Sequence, residues 1–320
     1  MSATAVDRDE FVRLTDPYRR ELLAHCYRML GSVDEAEDLV QETYLRAWRA
    51  YDGYEGRASL RTWLHRIATN TCLTALEGRA RRPLPSGLGG PSEAPEEPLR
   101  ASATDVPWLQ PLPDALVDPA YVVAARGSLR LALVAALQQL PARQRAVLIL
   151  RDVLAWRASE VAAQLGMSTA AVKSSLQRAR ARLDEVAPDE DLVGEPEGAA
   201  DREVLDRYVA AFENADLDAL IGLLQDGVEL EMPPFLEWYS GKKDVLRFLH
   251  ARVHEKGTLR MLRTRANGQA AVAMYVRGDD GVHRAHSLQV LTVREGALAR
   301  ITAFLETDAL DRFGLPKEWS

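Results

Sequence analysis

The chain has 320 residues, 47% of them hydrophobic and 27% charged, with a formal net charge of -7. That length exceeds one ordinary domain and suits two or three, and the composition is that of soluble globular protein. No apolar run reaches the length of a membrane span, and the only cysteines, Cys26 and Cys72, form no closely spaced pair, so helical membrane proteins, disulfide frameworks and zinc knuckles are excluded.

The first residues are acidic and carry no hydrophobic export segment, so a cytoplasmic location is expected. Phe11, Leu14, Tyr18, Leu22 and Cys26 recur at helical spacing and predict one helix up to Gly31–Ser32. A second helix is expected to start at Asp34 with Glu37, its apolar stripe running through Leu39, Val40, Tyr44, Leu45 and Trp48. Asp38, Gln41 and Glu42 share another side of that helix by their spacing. A third helix is expected after Ser59, carrying Leu60, Trp63, Leu64, Ile67, Ala68, Cys72 and Leu76.

Charge reverses along these helices. Residues 1–45 hold 5 Arg against 10 Asp/Glu, whereas residues 46–82 hold 8 Arg against 3 Asp/Glu, interleaved with Trp48, Tyr51, Tyr54 and Trp63. Cations among aromatics are what a surface needs to hold phosphates and unstacked bases. The net acidity of the whole chain is no objection, because local charge decides what a surface attracts.

Residues 83–119 read as a linker, with nine prolines and a net negative charge. Such a segment cannot fix itself by burying its own apolar surface. Within it, Trp108 and Leu109 stand in an island, PWLQPLPD, which is expected to dock elsewhere in the chain. Residues 126–186 are basic again, 10 Lys/Arg against 4 Asp/Glu. Helices are expected over 129–140, 144–153, 158–165 and 169–183, with Gly166–Met167–Ser168 as the tight turn between the last two. That is a helix-turn-helix, and its second helix would present Ser168, Thr169, Lys173, Ser174, Gln177, Arg178 and Arg180 to DNA. A second acidic linker spans 187–200. Beyond it, helices over 202–214 and 216–225 precede the strand-like runs VELEM, GQAAVAMYVRG, HSLQVLTVREG and ALARITAFLE, with the helix KKDVLRFLHARV between them, an order that suits an α+β cone.

The order acidic helix, basic aromatic helix, tether and helix-turn-helix resembles the sigma-70 family of RNA polymerase sigma factors, in its two-domain extracytoplasmic-function (ECF) group. DEAEDLVQETYLRAW is similar to the helix that binds core polymerase, SLRTWLHRIATN to the segment that melts and reads the -10 element, and LPARQRAVLILRDV with ASEVAAQLGMSTAAVKSSLQRARARL to the domain that reads the -35 element. The resemblance covers residues 9–186. It implies that Asp38, Gln41 and Glu42 meet the polymerase beta-prime clamp helices. It assigns Tyr54, Arg57, Ser59, Trp63, Arg66 and Asn70 to the -10 element and the seven recognition-helix residues above to the -35 element. The chain departs from the family pattern at Ala170–Ala171, where Gly-Thr is usual, and at Ser175, where an arginine is common.

The last third resembles the SnoaL-like group of the NTF2-like superfold, in LDRYVAAFENADLDALIGLLQDGVELEMPP and in element order. The expected fold is therefore multidomain, two all-α helical domains followed by a C-terminal α+β NTF2-like cone. Expected boundaries are 1–82 for sigma region 2, 83–119 for the linker, 120–186 for sigma region 4, 187–200 for a second linker and 201–320 for the SnoaL-like domain. Expected partners are core RNA polymerase through its beta-prime and beta subunits, promoter DNA, and the chain's own C-terminal domain acting through Trp108 and Leu109. A small ligand of the cone is the further candidate, with Glu231, Trp238, Tyr239 and His286 as candidate pocket residues and His250 and Glu306 beside them. No catalytic residue, metal or cofactor is assigned, because no pair among these residues has a spacing that commits it to acid/base work. Two rivals use the same residues. One is a one-component helix-turn-helix regulator with a small-molecule sensor; the other is a SnoaL-like cyclase or isomerase with a DNA-binding leader.

Overall fold

The computed structural model describes residues 8–100, 105–117, 126–186, 199–252 and 255–319. Contacts divide the chain into two units: Met1–Arg82 with Leu116–Leu192, and Pro83–Ala115 with Val193–Ser320. The second linker lies outside the described residues except for its last two, as does the expected start of region 4 at residue 120.

The first unit is helical. The expected single N-terminal helix is broken into α1 (Arg8–Thr15) and α2 (Arg19–Leu30) by a 3-10 turn at Asp16–Tyr18. Pro17 causes the break, since it lacks the N–H that a continuous helix would use. Gly31, at φ 71°, ends α2, and Ser32 then starts α3 (Val33–Ala50) by accepting from the Glu35 N–H. The start signal is thus Ser32, two residues before Asp34, and Asp34 and Glu35 occupy the first turn where the helix dipole favours anions. Ser59 caps α4 (Leu60–Ala75) in the same way. Leu22, Tyr27, Val40, Ala47, Leu64 and Ala68 are among the residues that close the core of these helices.

Helices α5 (Leu131–Gln138), α6 (Ala142–Leu148), α7 (Ala158–Leu165) and α8 (Thr169–Val186) complete the unit. The stretch expected as one helix over 144–153 begins earlier and runs from α6 into a π turn, Ile149–Val153. Two buried arginines join this later part of the unit, including the short helical turn Arg126–Leu129, to α2. Arg145 donates to the backbone oxygens of Met29 and Leu140 and to the Gln138 side chain, while Arg28 donates to Ser128. Met29 lies in the last turn of α2, so Arg145 supplies a cation where the helix leaves carbonyls unpaired.

The second unit is a seven-stranded sheet ordered β2-β1-β6-β5-β4-β3, with β7 paired to β5. Its strands are β1 (Leu224–Glu231), β2 (Trp238–Ser240), β3 (Leu259–Ala266), β4 (Gln269–Arg277), β5 (His283–Arg294), β6 (Ala297–Phe304) and β7 (Glu318–Trp319). The sheet is mixed rather than wholly antiparallel, because β1 and β6 pair in parallel. Helices α9 (Ala199–Glu213), α10 (Leu217–Leu223) and α11 (Lys242–His250) belong to this unit. Tyr208, Phe212, Leu220, Leu230, Tyr239, Phe248, Val272 and Leu291 share one apolar core with the sheet.

The proline-rich segment is not a free tether over its described part. Leu109 bonds back to Pro83, Leu112 exchanges hydrogen bonds with Asn267, Pro113 bridges to Ala266, and Trp238 donates to the Gly89 oxygen. Trp108 is 8% exposed and Leu109 and Leu112 are buried. The segment makes no core of its own; it borrows the surface of the cone, which composition alone could not reveal.

Candidate nucleic-acid interface

Helix α3 is inserted into the first unit by Val33, Ala36, Val40, Thr43 and Ala47. The helical period then turns Asp38 and Gln41 outward, with Glu42 half-buried and paired to Arg46 at 2.7 Å. The expected apolar stripe is corrected at its end: Leu45 is 52% exposed and Trp48 39% exposed, on the same side as the acidic residues. The helix therefore presents a mixed acidic and apolar strip. Tyr44 faces inward and donates to the Thr15 oxygen.

The rings next to this strip are connected. Phe11 meets Trp48 and Tyr51 edge-on with centroids 5.2 and 5.1 Å apart, and Tyr54 lies 4.9 Å from Trp63. Beyond them opens a pocket of 280 Å³ lined by Gly53, Tyr54, Glu55, Arg57, Ala58, Trp63 and Arg66. Four of the six residues expected at the -10 element thus share one concavity. The Tyr54 hydroxyl donates to the Ala58 oxygen at 2.5 Å, which fixes the loop that forms its wall. Arg57 is exposed and pairs with Glu55, so a bound phosphate would have to displace a carboxylate. Ser59 is not in the lining; its side chain caps α4 by accepting from Thr62. Asn70 lies two turns further along α4, exposed, with its Oδ1 accepting from Gln164.

Below this surface His25 and His65 are buried with ring centroids 5.3 Å apart. Burial holds both imidazoles below their ordinary range; at His65 the Glu21 carboxylate works in the opposite direction. His25 Nε2 meets the Thr69 hydroxyl at 3.0 Å, and His65 Nδ1 meets the Arg61 oxygen. These residues brace α2 against α4 and lie away from the pocket.

In the helix-turn-helix, Gly166 ends α7 at φ 62° and Ser168 accepts from the Ala171 N–H to start α8. Val172, Ser175, Ala179 and Leu183 face inward. Ser168, Thr169, Lys173, Ser174, Gln177, Arg178 and Arg180 are all exposed and lie on the other side of α8. Two of the cations already hold partners: Arg178 donates to Ser174 at 2.6 Å, and Arg180 forks onto Asp152 at 2.8 and 3.0 Å. The Asp152 carboxylate pushes the Arg180 pKa up. Ser175, at 3% exposure, is part of the packing, so the family's usual arginine position faces the core in this chain.

The cone does not gather its four candidate pocket residues. Glu231 and Trp238 are register partners on one face of the sheet, the face against Ser86 and Gly89 of the linker segment. Tyr239 points into the opposite, apolar core, its ring tilted against Phe248 with centroids 5.0 Å apart. His286 is exposed where the β4–β5 register shifts, and His250 is exposed at the end of α11. Burial pushes the Glu231 carboxyl up, while Arg300 at 3.6 Å opposes that shift. A separate cavity of 340 Å³ has Trp108 and Leu109 on one wall and Phe304, Glu306 and Arg312 on another. Among the described residues no helix is long and apolar enough to cross a membrane.

Sequence reasoning missed Leu45 as a surface residue, and it missed Trp156 and Gln164. Trp156 is buried with the Arg66 guanidinium 5.9 Å from its ring centre, and Gln164 donates to Asn70. Nothing in their spacing marks them, because both act across a sequence separation of about ninety residues.

Residues 14–82 match the sigma-70 region 2 family, residues 130–183 the sigma-70 region 4 family, and residues 205–301 the SnoaL-like domain family. The chain is 52% identical over 315 residues to the ECF RNA polymerase sigma factor SigG of Mycobacterium tuberculosis, spanning 97% of this chain and 85% of that protein. It is 30% identical over 297 residues to the ECF RNA polymerase sigma factor SigJ of the same organism, spanning 88% of each. The crystal structure of SigJ matches 95% of this chain and 100% of its own at a TM-score of 0.66 and 25% identity.

Proposed function

The chain belongs to the extracytoplasmic-function group of RNA polymerase sigma factors, and from that premise we infer which of its surfaces meets polymerase, which meets DNA and what the appended cone does. As a sigma factor it binds core RNA polymerase and directs promoter recognition and transcription initiation.

The α3 strip of Asp38, Gln41 and Glu42, with Leu45 and Trp48 beside them, engages the beta-prime clamp helices. Carboxylates there orient the encounter with a basic partner, and the exposed leucine and tryptophan supply apolar area at its centre. The 280 Å³ pocket takes an extruded base of the -10 element, with Tyr54 and Trp63 as stacking walls and Arg57 and Arg66 as phosphate contacts. Asn70 and Ser59 flank that site. The exposed face of α8 reads the -35 element, Ser168 and Thr169 near base edges and Lys173, Arg178 and Arg180 toward phosphates. The beta subunit receives region 4, and the complex works in the cytoplasm.

The cone acts as a regulator rather than an enzyme. Its candidate polar residues are split between two faces of the sheet and an exposed bulge, so no acid and base converge on one substrate position. Through Trp108 and Leu109 it holds the segment that joins region 2 to region 4, and that hold tunes activity. Expected domain limits remain 1–82, 120–186 and 201–320, with the 83–119 segment working as a strap on the cone.

The observation that carries this reading is the convergence of Tyr54, Arg57, Trp63 and Arg66 on one pocket beside the α3 strip. In vitro transcription with core polymerase over a promoter library tests it, comparing the full chain, Trp63→Ala and a truncation after residue 200. Promoter-specific transcripts from the full chain, loss with Trp63→Ala and changed output on truncation are expected. Failure of the full chain to support any specific transcript would overturn the reading of the surfaces, and unchanged output on truncation would overturn the role of the cone.

A further inference from the structure

The cavity beside Trp108 has no part in the surfaces assigned above. It encloses 340 Å³, at the small end of the range of ligand sites, and all of its lining residues belong to the unit of the cone. Two parts of that unit build it. The strap supplies Trp108, Leu109 and Pro111, and the cone supplies Pro233 and Phe304, so the wall is largely apolar and carries two aromatic rings. Trp108, Leu109 and Phe304 are each 8% exposed or less, so these walls are packed in place.

The polar part of the lining comes from the chain that leaves β6. Backbone bonds fix its course: Leu305 donates to the Pro233 oxygen at 3.0 Å, Ala309 to the Glu306 oxygen at 3.3 Å and Leu310 to the Thr307 oxygen at 3.0 Å. The turn and the short helix Ala309–Arg312 after it set Glu306, Thr307 and Arg312 around the cavity. Glu306 is exposed, and among the described residues its carboxylate has no ion-pair or hydrogen-bond partner. Asp308, also in the lining, is already paired with Lys317 at 3.6 Å. Glu306 is therefore the available anion, and Arg312 supplies the cation. A guanidinium carries five N–H donors in a fixed fork, so Arg312 can take a carboxylate while keeping another partner. A ligand bearing only a cation would meet Arg312, and one bearing only an anion would meet Glu306. Like charges brought together in this way are penalised, whereas a molecule with both charges on a small apolar body satisfies both residues.

We propose that this cavity binds a small zwitterion of the α-amino acid class with an apolar side group. Its ammonium pairs with Glu306, its carboxylate with Arg312, and its apolar group lies against Trp108 and Phe304. Because the strap supplies one wall, the site is complete only while the strap is docked, so the ligand binds the docked form and holds it. Binding stands apart from the promoter surfaces; its effect on transcription rests on the strap reading above.

The test uses the full chain and three probes of one shape: phenylalanine, phenethylamine, which lacks the carboxylate, and hydrocinnamate, which lacks the amine. Isothermal titration calorimetry is expected to rank phenylalanine first, with each single-charge probe about fivefold weaker, the scale of a partly exposed ion pair. Glu306→Gln is expected to bring phenylalanine down to the level of hydrocinnamate. Glu306→Lys is expected to favour hydrocinnamate over phenethylamine, a reversal that a merely structural role would not produce. Position 306 is exposed, so both variants keep the fold, and an unchanged melting temperature verifies it. In a second measurement, phenylalanine is expected to slow proteolysis of the wild-type strap and to leave that of Glu306→Lys unchanged. No binding of phenylalanine, equal affinity for the three probes, or the wild-type ranking retained in Glu306→Lys would overturn the site. Binding without protection of the strap would overturn its coupling to docking. If the unliganded strap is cleaved as fast as in Asp114→Ala, the strap reading fails instead, and the calorimetric ranking decides the site alone.

Discussion

The charge states of single side chains set the first expectations. His25 and His65 are buried, close together and depressed below the ordinary histidine range by burial. Both should therefore take up protons at lower pH in the native chain than in the unfolded chain, whose histidines titrate near pH 6.5. Stability from this pair is present above that value and is lost as pH falls through the folded values. When pH is lowered from 7.5, the imidazole resonances of both rings in the full chain should titrate below the midpoint of an unfolded histidine, and titration of both rings near 6.5 would refute the assignment. Trp63 makes a different kind of contribution, since its ring is half-buried at 4.9 Å from Tyr54 and forms part of the pocket wall. If it stacks on an extruded base, Trp63→Ala should forfeit about 1–3 kcal/mol, or roughly 5- to 150-fold in open complexes. Potassium permanganate footprinting of holoenzyme on a promoter measures this, and Trp63→Phe should restore most of the signal. Core binding should be unaffected, so a matching loss of polymerase affinity would point to misfolding rather than lost stacking.

At the scale of elements, what was legible depended on whether the signal was local. Ser59 before Leu60, Gly166 with Ser168 around the turn, and the Ala158–Leu165 helix were all readable, because caps and left-handed glycines are short-range requirements. Strand β3 was missed although Asn267–Gly268, both at positive φ, is a strong hairpin signal; its alternating arginines disguised the apolar face. The break at Pro17 and the exposure of Leu45 were misread because an apolar period was extended past its end. The pocket residues of the cone were gathered by residue type, and register then placed Trp238 and Tyr239 on opposite faces. Helix α8 yields a prediction of the same kind. Val172, Ser175, Ala179 and Leu183 form its packed side, so Ser175→Arg would drive a guanidinium into a site with 3% exposure. Restoring the family's usual residue should not add a base contact. It should destabilise the helix-turn-helix by about 1–3 kcal/mol through overpacking and weaken protection of the -35 region. Denaturant unfolding and DNase footprinting together decide it; tighter -35 protection without loss of stability would show that the side chain reaches DNA after all.

For the molecule as a whole, the decisive quantity is reach. The segment Pro83–Ala115 covalently joins the two halves of the helical unit, yet it belongs to the unit of the cone. Fully extended, its 33 residues could span about 110 Å. Docked, the segment is pinned through Leu112 and Asp114 at Asn267, Gly268 and Arg265, which shortens the reach it can supply. Asp114 is the strongest of these pins, because one carboxylate accepts from the Gly268 N–H at 2.7 Å and from Arg265 at 2.9 Å. Charge-assisted bonds of this kind contribute about 1.5–3 kcal/mol, so Asp114→Ala should shift the strap toward its free state by one to two orders of magnitude, roughly 10- to 100-fold. If the cone restrains the chain through the strap, that variant should transcribe more at limiting sigma concentration and approach the output of wild type at saturation. Limited proteolysis gives the independent readout of docking, since the freed segment becomes a substrate along its length. Faster cleavage with unchanged transcription would separate docking from activity and leave the cone without its lever; faster cleavage with higher transcription would make the strap the element through which the cone sets the working reach of the sigma factor.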